Sequence, residues 1–595
     1  MHRVRAVCVV GAGPRGLSVV ERLCANADGP LVVHLVDPFV RRGGRVWSTA
    51  QPASLLMNTI ASQVSMFTDA SVVCAGPIVP GPSLYEWARA LPAGYPAEIV
   101  AEASALTPNS YPTRAFYGHY LDWVLDRIRR TPGVEVVLHR QLAVSLTEAD
   151  DGAQVVTLAD HTVLADLEAV ILAQGHVDMP LCAVDHSLLA FANSLGLAYW
   201  PPANPAEVDL EALAPGEPVA VRGMGLAFFD HLALLTVDRG GRFKERSDGS
   251  LAYLASGREP VIITGSRRGV PYHSRGENEK GAFGRHEPLF LTEAVIARLR
   301  SGPPVSFRRD IWPLVAAEVE HVYYTALGRG PDDVPPELRW DWDRIACPHG
   351  DRSFDSPAAF HDWLLDLLRE DVRQALGGNV SDPVKAALDV LRDLRNEIRL
   401  AVDHGGVTGA SYRADLDGWY TPLNAYLSIG PPVRRVAELI ALVEADVVRV
   451  VGPGMRVERG TDGFVVSSPV VAGSAVTVRA LVEARLPEVD IRRTTDPLIS
   501  GLRAAGECAP YRLPGAVETG GMAVTERPYR LVDADGRPHP RRFGYGVPTE
   551  SVHWVTAAGI RPGVNSVILA DADAIARAAL AVTTSATAGV LARPA

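Results

Sequence analysis

Unbroken apolar runs, not alternating ones, mark the start of the chain. Residues 7–10 (Val-Cys-Val-Val) and 31–36 (Leu-Val-Val-His-Leu-Val) leave no consistent polar face, which is the pattern of strands buried on both sides of a parallel sheet. Between them residues 17–23 read as a helix. The strand–turn–helix order returns at 218–221 and 226–230, with a further apolar strand at 260–264. Residues 169–173 predict a return strand that brings Gln174-Gly175-His176 close to the first turn. Thr113 caps a predicted helix on which Phe116, Tyr120 and Trp123 share one face.

From about 285 to 445 the period becomes helical. Ser356 caps a helix over 357–376 that Gly377-Gly378 stops, and residues 384–402 carry apolar side chains at helical spacing. Residues 465–466 and 476–478 predict short antiparallel strands, and 480–485 another, partly buried. The chain is expected to finish as loop, strand and helix, with Asp571 or Asp573 opening an alanine-rich helix to Leu580 and a frayed tail after about 583. The predicted fold class is α/β. It comprises a Rossmann-like domain over 1–205, a second over 206–284, an inserted mainly helical cap or substrate domain over 285–445, and a return to the first domain over 446–595.

The turns carry the chemistry. Gly11, Gly13 and Gly16 fall at G-x-G-x-x-G spacing: the first for a tight turn, the second for approach of a pyrophosphate, the third for helix–strand packing. Asp37 follows about 20 residues later, where an acid hydrogen-bonds an adenosine ribose. A dinucleotide is therefore expected here. The second turn, Gly223-Met224-Gly225, is a looser match, its small third residue being Ala227. Ser266, Arg267 and Arg268 close its next strand after an insertion over 238–257. Arginine at that place would hold a 2′-phosphate and favours NADPH over NADH. Gly43-Gly44 permits approach of a flat ligand, and residues 55–69 mix amides, hydroxyls and apolar groups suited to a flavin edge. Arg413 or Arg434 could clamp a substrate carboxylate.

Composition narrows the class. With 595 residues, 47% hydrophobic and 21% charged, the chain reads as a multidomain soluble protein, and its formal charge of −11 argues against a nucleic-acid partner. No apolar run reaches the ~20 residues of a membrane span, and the first strand begins at once, so a cytoplasmic protein without a signal peptide is expected. The six cysteines form no CxxC pair, so neither a disulfide framework nor a metal site is expected; Cys347-Pro348-His349 stands alone.

Two glycine turns with a return strand between them resemble the two-dinucleotide-binding-domain flavoproteins, in which FAD sits on the first module and NADPH on the second. More narrowly, the chain resembles a bacterial FAD/NAD(P)-binding family. The residues carrying that likeness are Gly11-Ala12-Gly13-Pro14-Arg15-Gly16, Gly43-Gly44-Arg45-Val46-Trp47, Met57-Asn58-Thr59, Arg114 with Gly118-His119-Tyr120, Gly430-Pro431-Pro432 and Arg561-Pro562-Gly563-Val564-Asn565-Ser566. Residues 62–69 and Pro112-Thr113-Arg114 with Tyr120 and Trp123 are similar to the flavin-facing loop and following helix of ornithine and lysine N-hydroxylases. Thr68 stands where those enzymes carry a lysine that helps hold the amino acid, which points away from ornithine and lysine. The broader family includes aspartate N-oxygenases that form nitrosuccinate.

The resemblance implies cofactor contacts from Gly11, Gly13, Pro14, Arg15, Gly16, Asp37, Gly44, Arg45, Trp47, Met57, Asn58, Gln63, Arg114, Gly175, Gly223, Gly225, Ser266, Arg267, Arg268 and Asn565. Asn58 and Gln63 are expected at the flavin edge, Gln63 also near nicotinamide. The implied reaction is NADPH reduction of FAD, addition of O₂ to give a C4a-(hydro)peroxyflavin, and attack on it by the amine of a small amino acid, L-aspartate foremost. The expected partners are that substrate and O₂, with homo-oligomerisation left open. A carbon (Baeyer–Villiger-like) oxygenase, a flavoprotein reductase and a non-enzymatic flavin-binding protein are the rivals. The missing CxxC weighs against the reductase, and the second module weighs against the non-enzyme.

Overall fold

The computed structural model describes residues 4–588, with side chains through 582, so most of the tail expected to fray lies outside the described residues. The first sheet runs, edge to edge, Arg530–Val532, Pro538–Gly544, Ala169–Leu172, Arg5–Val10, Leu31–Val36, Val134–His139. All its pairings are parallel except the antiparallel edge pair 530–532/538–544. Val7 and Val9 are fully buried, as are Cys8 and Val170 on the other side, so both faces are covered and the unbroken apolar runs are explained.

A second sheet runs Val448–Pro453, Val261–Ser266, Pro218–Arg222, Ala480–Glu483, Ala198–Trp200, all parallel. This redraws the predicted boundaries. The strands at 448–453 and 480–483 belong to the second module, so the return to the first begins after 483, not at 446; the strand at 198–200, placed in the first domain by sequence, also joins the second. Residues 480–483 are neither antiparallel nor partly buried: all four are buried between two parallel neighbours. A strand that short carries no periodicity by which its partners could be read. The insertion over 238–257 is an antiparallel hairpin, Arg242–Glu245 with Leu251–Leu254.

The helical insert forms as expected. Ser356 accepts the Ala359 N–H at the head of Pro357–Leu376, and Thr113 accepts the Phe116 N–H at the head of Arg114–Ile128. The apolar stretch 384–402 is two helices, Pro383–Asp393 and Arg395–Val402, broken at Leu394. The terminal helix begins at Val567, so residues 567–569, expected as strand, are helical. Burial against the Pro14–Asn26 helix decides it: Leu569, Ile575 and Ala576 share one core with Val19, Val20 and Leu23. No helix among the described residues is long and apolar enough to cross a membrane.

Candidate functional site

The first turn is closed by backbone contact. Gly11 has φ 109°, and a Cβ there would overlap the Ala173 carbonyl; one on Gly16 would overlap the Gly11 carbonyl. A Cβ on Gly13 would meet nothing within 4 Å, so the open side of the turn lies at the residue expected to face a pyrophosphate. Gly13 is also the N-cap of Pro14–Asn26 and supplies no side-chain cap, which leaves the first helical N–H groups free for an anion. Gly44 comes within 3.6 Å of the Gly13 Cα, measured from where its Cβ would stand. Asp37 accepts the Ala12 N–H at 2.7 Å and the Phe39 N–H at 2.6 Å, so its carboxylate braces the turn; burial nevertheless raises its pKa. Arg15 reaches away to the Tyr545 hydroxyl (3.0 Å) and the Thr556 carbonyl. Gly175, with φ 71°, has open space at its Cβ position.

A cavity of about 1030 Å³ lies between the modules, at the upper end of the volumes that hold small-molecule ligands. It gathers predicted residues from both: Arg45, Trp47, Met57, Asn58 and Arg114 from the first, Gly223, Gly225, Ser266, Arg267 and Arg268 from the second. Two arginines pin its walls through three ion pairs. Arg114 holds Asp230 of the second module at 2.6 Å, and Arg45 holds Glu207 and Asp178, each at 2.7 Å. Trp47 stands edge-on to Tyr117 with ring centroids 4.8 Å apart. The Asn58 amide and the exposed Arg267 guanidinium have no protein partner among the described residues. Arg268 lies over the Tyr426 ring at 4.4 Å and donates to the Ala346 carbonyl at 2.9 Å. Gly225 caps Leu226–Leu235 as Gly13 caps its helix, again without a side-chain cap.

Gln63 lies outside this cavity. It is buried in the short Ala61–Gln63 turn, its amide donating to the Gly281 carbonyl at 3.0 Å and accepting from Arg392 at 2.5 Å. One polar end is thus met by the helical insert, through Arg392, and the other by Gly281 just ahead of it. Thr68 is also buried, its hydroxyl accepting the Val79 N–H at 2.7 Å. The 560–565 segment clasps this loop: Ser65 N–H donates to the Ile560 carbonyl, Gly563 N–H to Asp69, and Asn565 accepts from the Val73 N–H at 2.9 Å. The Asn565 side chain is spent on that clasp.

The two arginines nominated for a substrate carboxylate do not meet this region. Arg413 is exposed and donates to the Glu518 carbonyl, and Arg434, with a side chain 66% exposed, pairs with Glu438 one helical turn on. Neither lines the interdomain cavity. Arg392, which donates to Gln63, instead groups with Arg275, Arg395 and Arg561, and these cations repel one another. Burial and that repulsion lower the pKa of Arg395 to about 9 and those of Arg275 and Arg561 to about 10. Asp389 and Asp393 are shared with Lys280 at 2.7 and 2.8 Å, and Glu397 is held by Arg285 at 2.5 Å. The sequence carried one signal of this cluster: Arg392, Arg395 and Arg399 recur at i, i+3 and i+7 inside an otherwise amphipathic helical stretch. No group of three or more metal-ligating side chains converges among the described residues.

Residues 8–177 match a family model described as FAD-NAD(P)-binding. Over 97% of this chain and 97% of theirs, residues are 54% identical to an L-aspartate N-monooxygenase (nitrosuccinate-forming) of Streptomyces davaonensis. A protein of the same description from Streptomyces cremeus is 54% identical over 98% of this chain and 95% of its own. Nitrosuccinic acid synthase of Aspergillus oryzae is 51% identical over 97% and 93%. Among solved structures, cyclohexanone monooxygenase from Rhodococcus sp. Phi1 bound to NADP+ is 13% identical, covering 99% of this chain and 85% of that one, with a TM-score of 0.39. The FAD-bound cadaverine monooxygenase DfoA of Erwinia amylovora is 11% identical over 98% and 95%, with a TM-score of 0.40. At those scores neither structure bears on the chemistry.

Proposed function

The chain belongs to the family of nitrosuccinate-forming L-aspartate N-monooxygenases, and from that premise we propose that it is a FAD- and NADPH-dependent monooxygenase oxidising the amine of L-aspartate to nitrosuccinate. The observation that carries the reading is 54% identity sustained over 97% of both chains.

The residues present fit both cofactors. The open Gly13 position and the uncapped helix N-terminus behind it suit the FAD pyrophosphate, with Asp37 beside the ribose. The uncapped Gly225 helix suits the second dinucleotide, and the unpartnered Arg267, with Arg268 beside it, suits a 2′-phosphate, which favours NADPH. FAD, once reduced by NADPH, supplies the electrons that activate O₂ for transfer to an amine. The chain's own part is placement and exclusion of water. The Asn58 amide is free to meet a ring edge, and Arg114–Asp230 holds the two modules in register. The buried 61–67 segment, clasped by 560–565, keeps water from the Gln63 side. Gln63, braced at both ends, orients that wall instead of moving with it.

Incubation of the purified protein with FAD, ¹⁵N-labelled L-aspartate, O₂ and either NADPH or NADH tests this. Labelled nitrosuccinate, formed preferentially with NADPH, is the expected product. Nucleotide oxidation that yields only peroxide, with the amino acid recovered intact, would overturn the reading.

A further inference from the structure

We propose that Arg485, just past the Ala480–Glu483 strand, is a cofactor-binding residue that takes the phosphate on the nicotinamide half of NADPH. The proposal deepens the function above and rests on it for the identity of the dinucleotide.

Three observations carry it. The first is topology. From Pro218–Arg222 the second sheet grows outward through Val261–Ser266 to Val448–Pro453. The chain then crosses back and lays Ala480–Glu483 on the other side of Pro218–Arg222. The strand order reverses between those two strands, and in an open parallel sheet a dinucleotide lies across the carboxyl ends at such a reversal. Gly223 leaves one of the two ends, and Ala484 and Arg485 leave the other; the Ala484 N–H donates to the Arg222 carbonyl at 3.0 Å. Arg267 and Arg268 follow Val261–Ser266, on the adenosine side of the turn. Arg485 stands on the opposite side, where the second nucleotide falls.

The second is spare donor capacity. Among the described residues Arg485 reaches two carboxylates, Asp185 at 3.1 Å and Glu483 at 3.4 Å. Well-formed charged bonds of this kind run about 2.7–2.9 Å. Each carboxylate also has a nearer partner. The buried Glu483 is held through both Nε and Nη2 of Arg222, its neighbour in register across the sheet, and Asp185 accepts the Tyr199 hydroxyl at 2.9 Å. Arg485 keeps a side chain 48% exposed and lines the interdomain cavity. Its guanidinium is therefore free to turn to a ligand without leaving a buried charge unpaired.

The third is charge. Seven arginines and four carboxylates line that cavity. Arg45, Arg114 and Arg222 account for all four carboxylates, and Arg435 pairs with Glu438. The remaining positive charge stands on both flanks of the Gly223 turn: Arg267 and Arg268 on one, Arg485 on the other. A dinucleotide with a 2′-phosphate at one end and a phosphate on its second ribose matches that division. The two flanks then differ in what they read. Arg267 meets a phosphate that NADH lacks, whereas the phosphate met by Arg485 is common to NADPH and NADH.

Calorimetric titration of flavin-loaded wild type, Arg485→Gln, Arg485→Lys and Arg267→Ala tests this. The probes are NADP+, NAD+ and adenosine 2′,5′-bisphosphate, which has the 2′-phosphate and no nicotinamide half. Arg485→Gln should weaken NADP+ and NAD+ alike by about 10-fold, the worth of one partly exposed charged hydrogen bond. It should leave the bisphosphate at wild-type affinity, which also reports that the second module is folded. Arg485→Lys, which keeps the charge but not the fork, should recover part of the loss. Arg267→Ala should show the converse pattern, losing affinity for NADP+ and the bisphosphate and keeping it for NAD+. Unchanged NADP+ and NAD+ affinities in Arg485→Gln would overturn the proposal, as would a loss of bisphosphate binding as large as that of NADP+. A wild type that binds none of the three probes would overturn the proposal and the function together. If wild type binds NADP+ through Arg485 but leaves aspartate unoxidised, the function fails while this site stands.

Discussion

The two nucleotide turns share a plan and differ in tightness. Both open with a glycine at positive φ (Gly11, 109°; Gly223, 115°), and both cap a helix with a second glycine that offers no side-chain cap. In the first, the neighbouring Ala173 carbonyl sits where a Cβ would be, and Gly16 lets the helix touch the turn. In the second, the nearest neighbour, the Ala484 carbonyl, stands 3.2 Å from the Cβ position of Gly223, and the residue three past the capping glycine is the buried Phe228 in place of a glycine. A turn that closes to backbone contact suits a group held throughout the cycle. One less tightly closed, opening on a 1030 Å³ cavity, suits a cofactor that arrives and leaves.

The comparison breaks most visibly at Gly16. Gly16→Val should cost about 3 kcal/mol, the upper range for overpacking, and yield protein without flavin; thermal unfolding and visible absorbance check it. Gly223→Ala should spare the flavin, since backbone strain of about 1–3 kcal/mol and a tight contact with the Ala484 carbonyl are added at the second turn alone, and raise the KM for NADPH about 10-fold in steady-state assays. Arg267→Ala should weaken NADPH by about 10-fold and leave NADH unchanged, a ratio read from the two kcat/KM values. Gln63→Ala, which removes the brace between Gly281 and Arg392, should raise peroxide released per NADPH about twofold or more, with flavin content normal. Smallest of all, Arg413→Ala and Arg434→Ala should each change stability by under about 0.5 kcal/mol and leave the aspartate KM as it was, because both side chains face solvent.

Both turns were legible because a glycine turn is a local device: its spacing, the strand before it and the helix after it lie within a few residues of one another. The capped helices at Thr113 and Ser356 were legible for the same reason. The second sheet was not. Its members at 198–200, 448–453 and 480–483 come from distant stretches, and a four-residue apolar run does not name its neighbours. The arginine cluster was hidden for a related reason. Residues 275, 392–395 and 561 meet only in the folded chain, and each of them alone reads as a surface cation. Arg413 and Arg434 looked equally suitable in sequence, and burial alone separates the two groups.

The most direct test is the peroxide released per NADPH consumed, measured with flavin-loaded protein in the presence of L-aspartate and, separately, L-asparagine, which keeps the amine but lacks the second carboxylate. The account predicts that aspartate suppresses peroxide in favour of nitrosuccinate while asparagine does not. Equal peroxide with both, and no oxidised product from either, would contradict it.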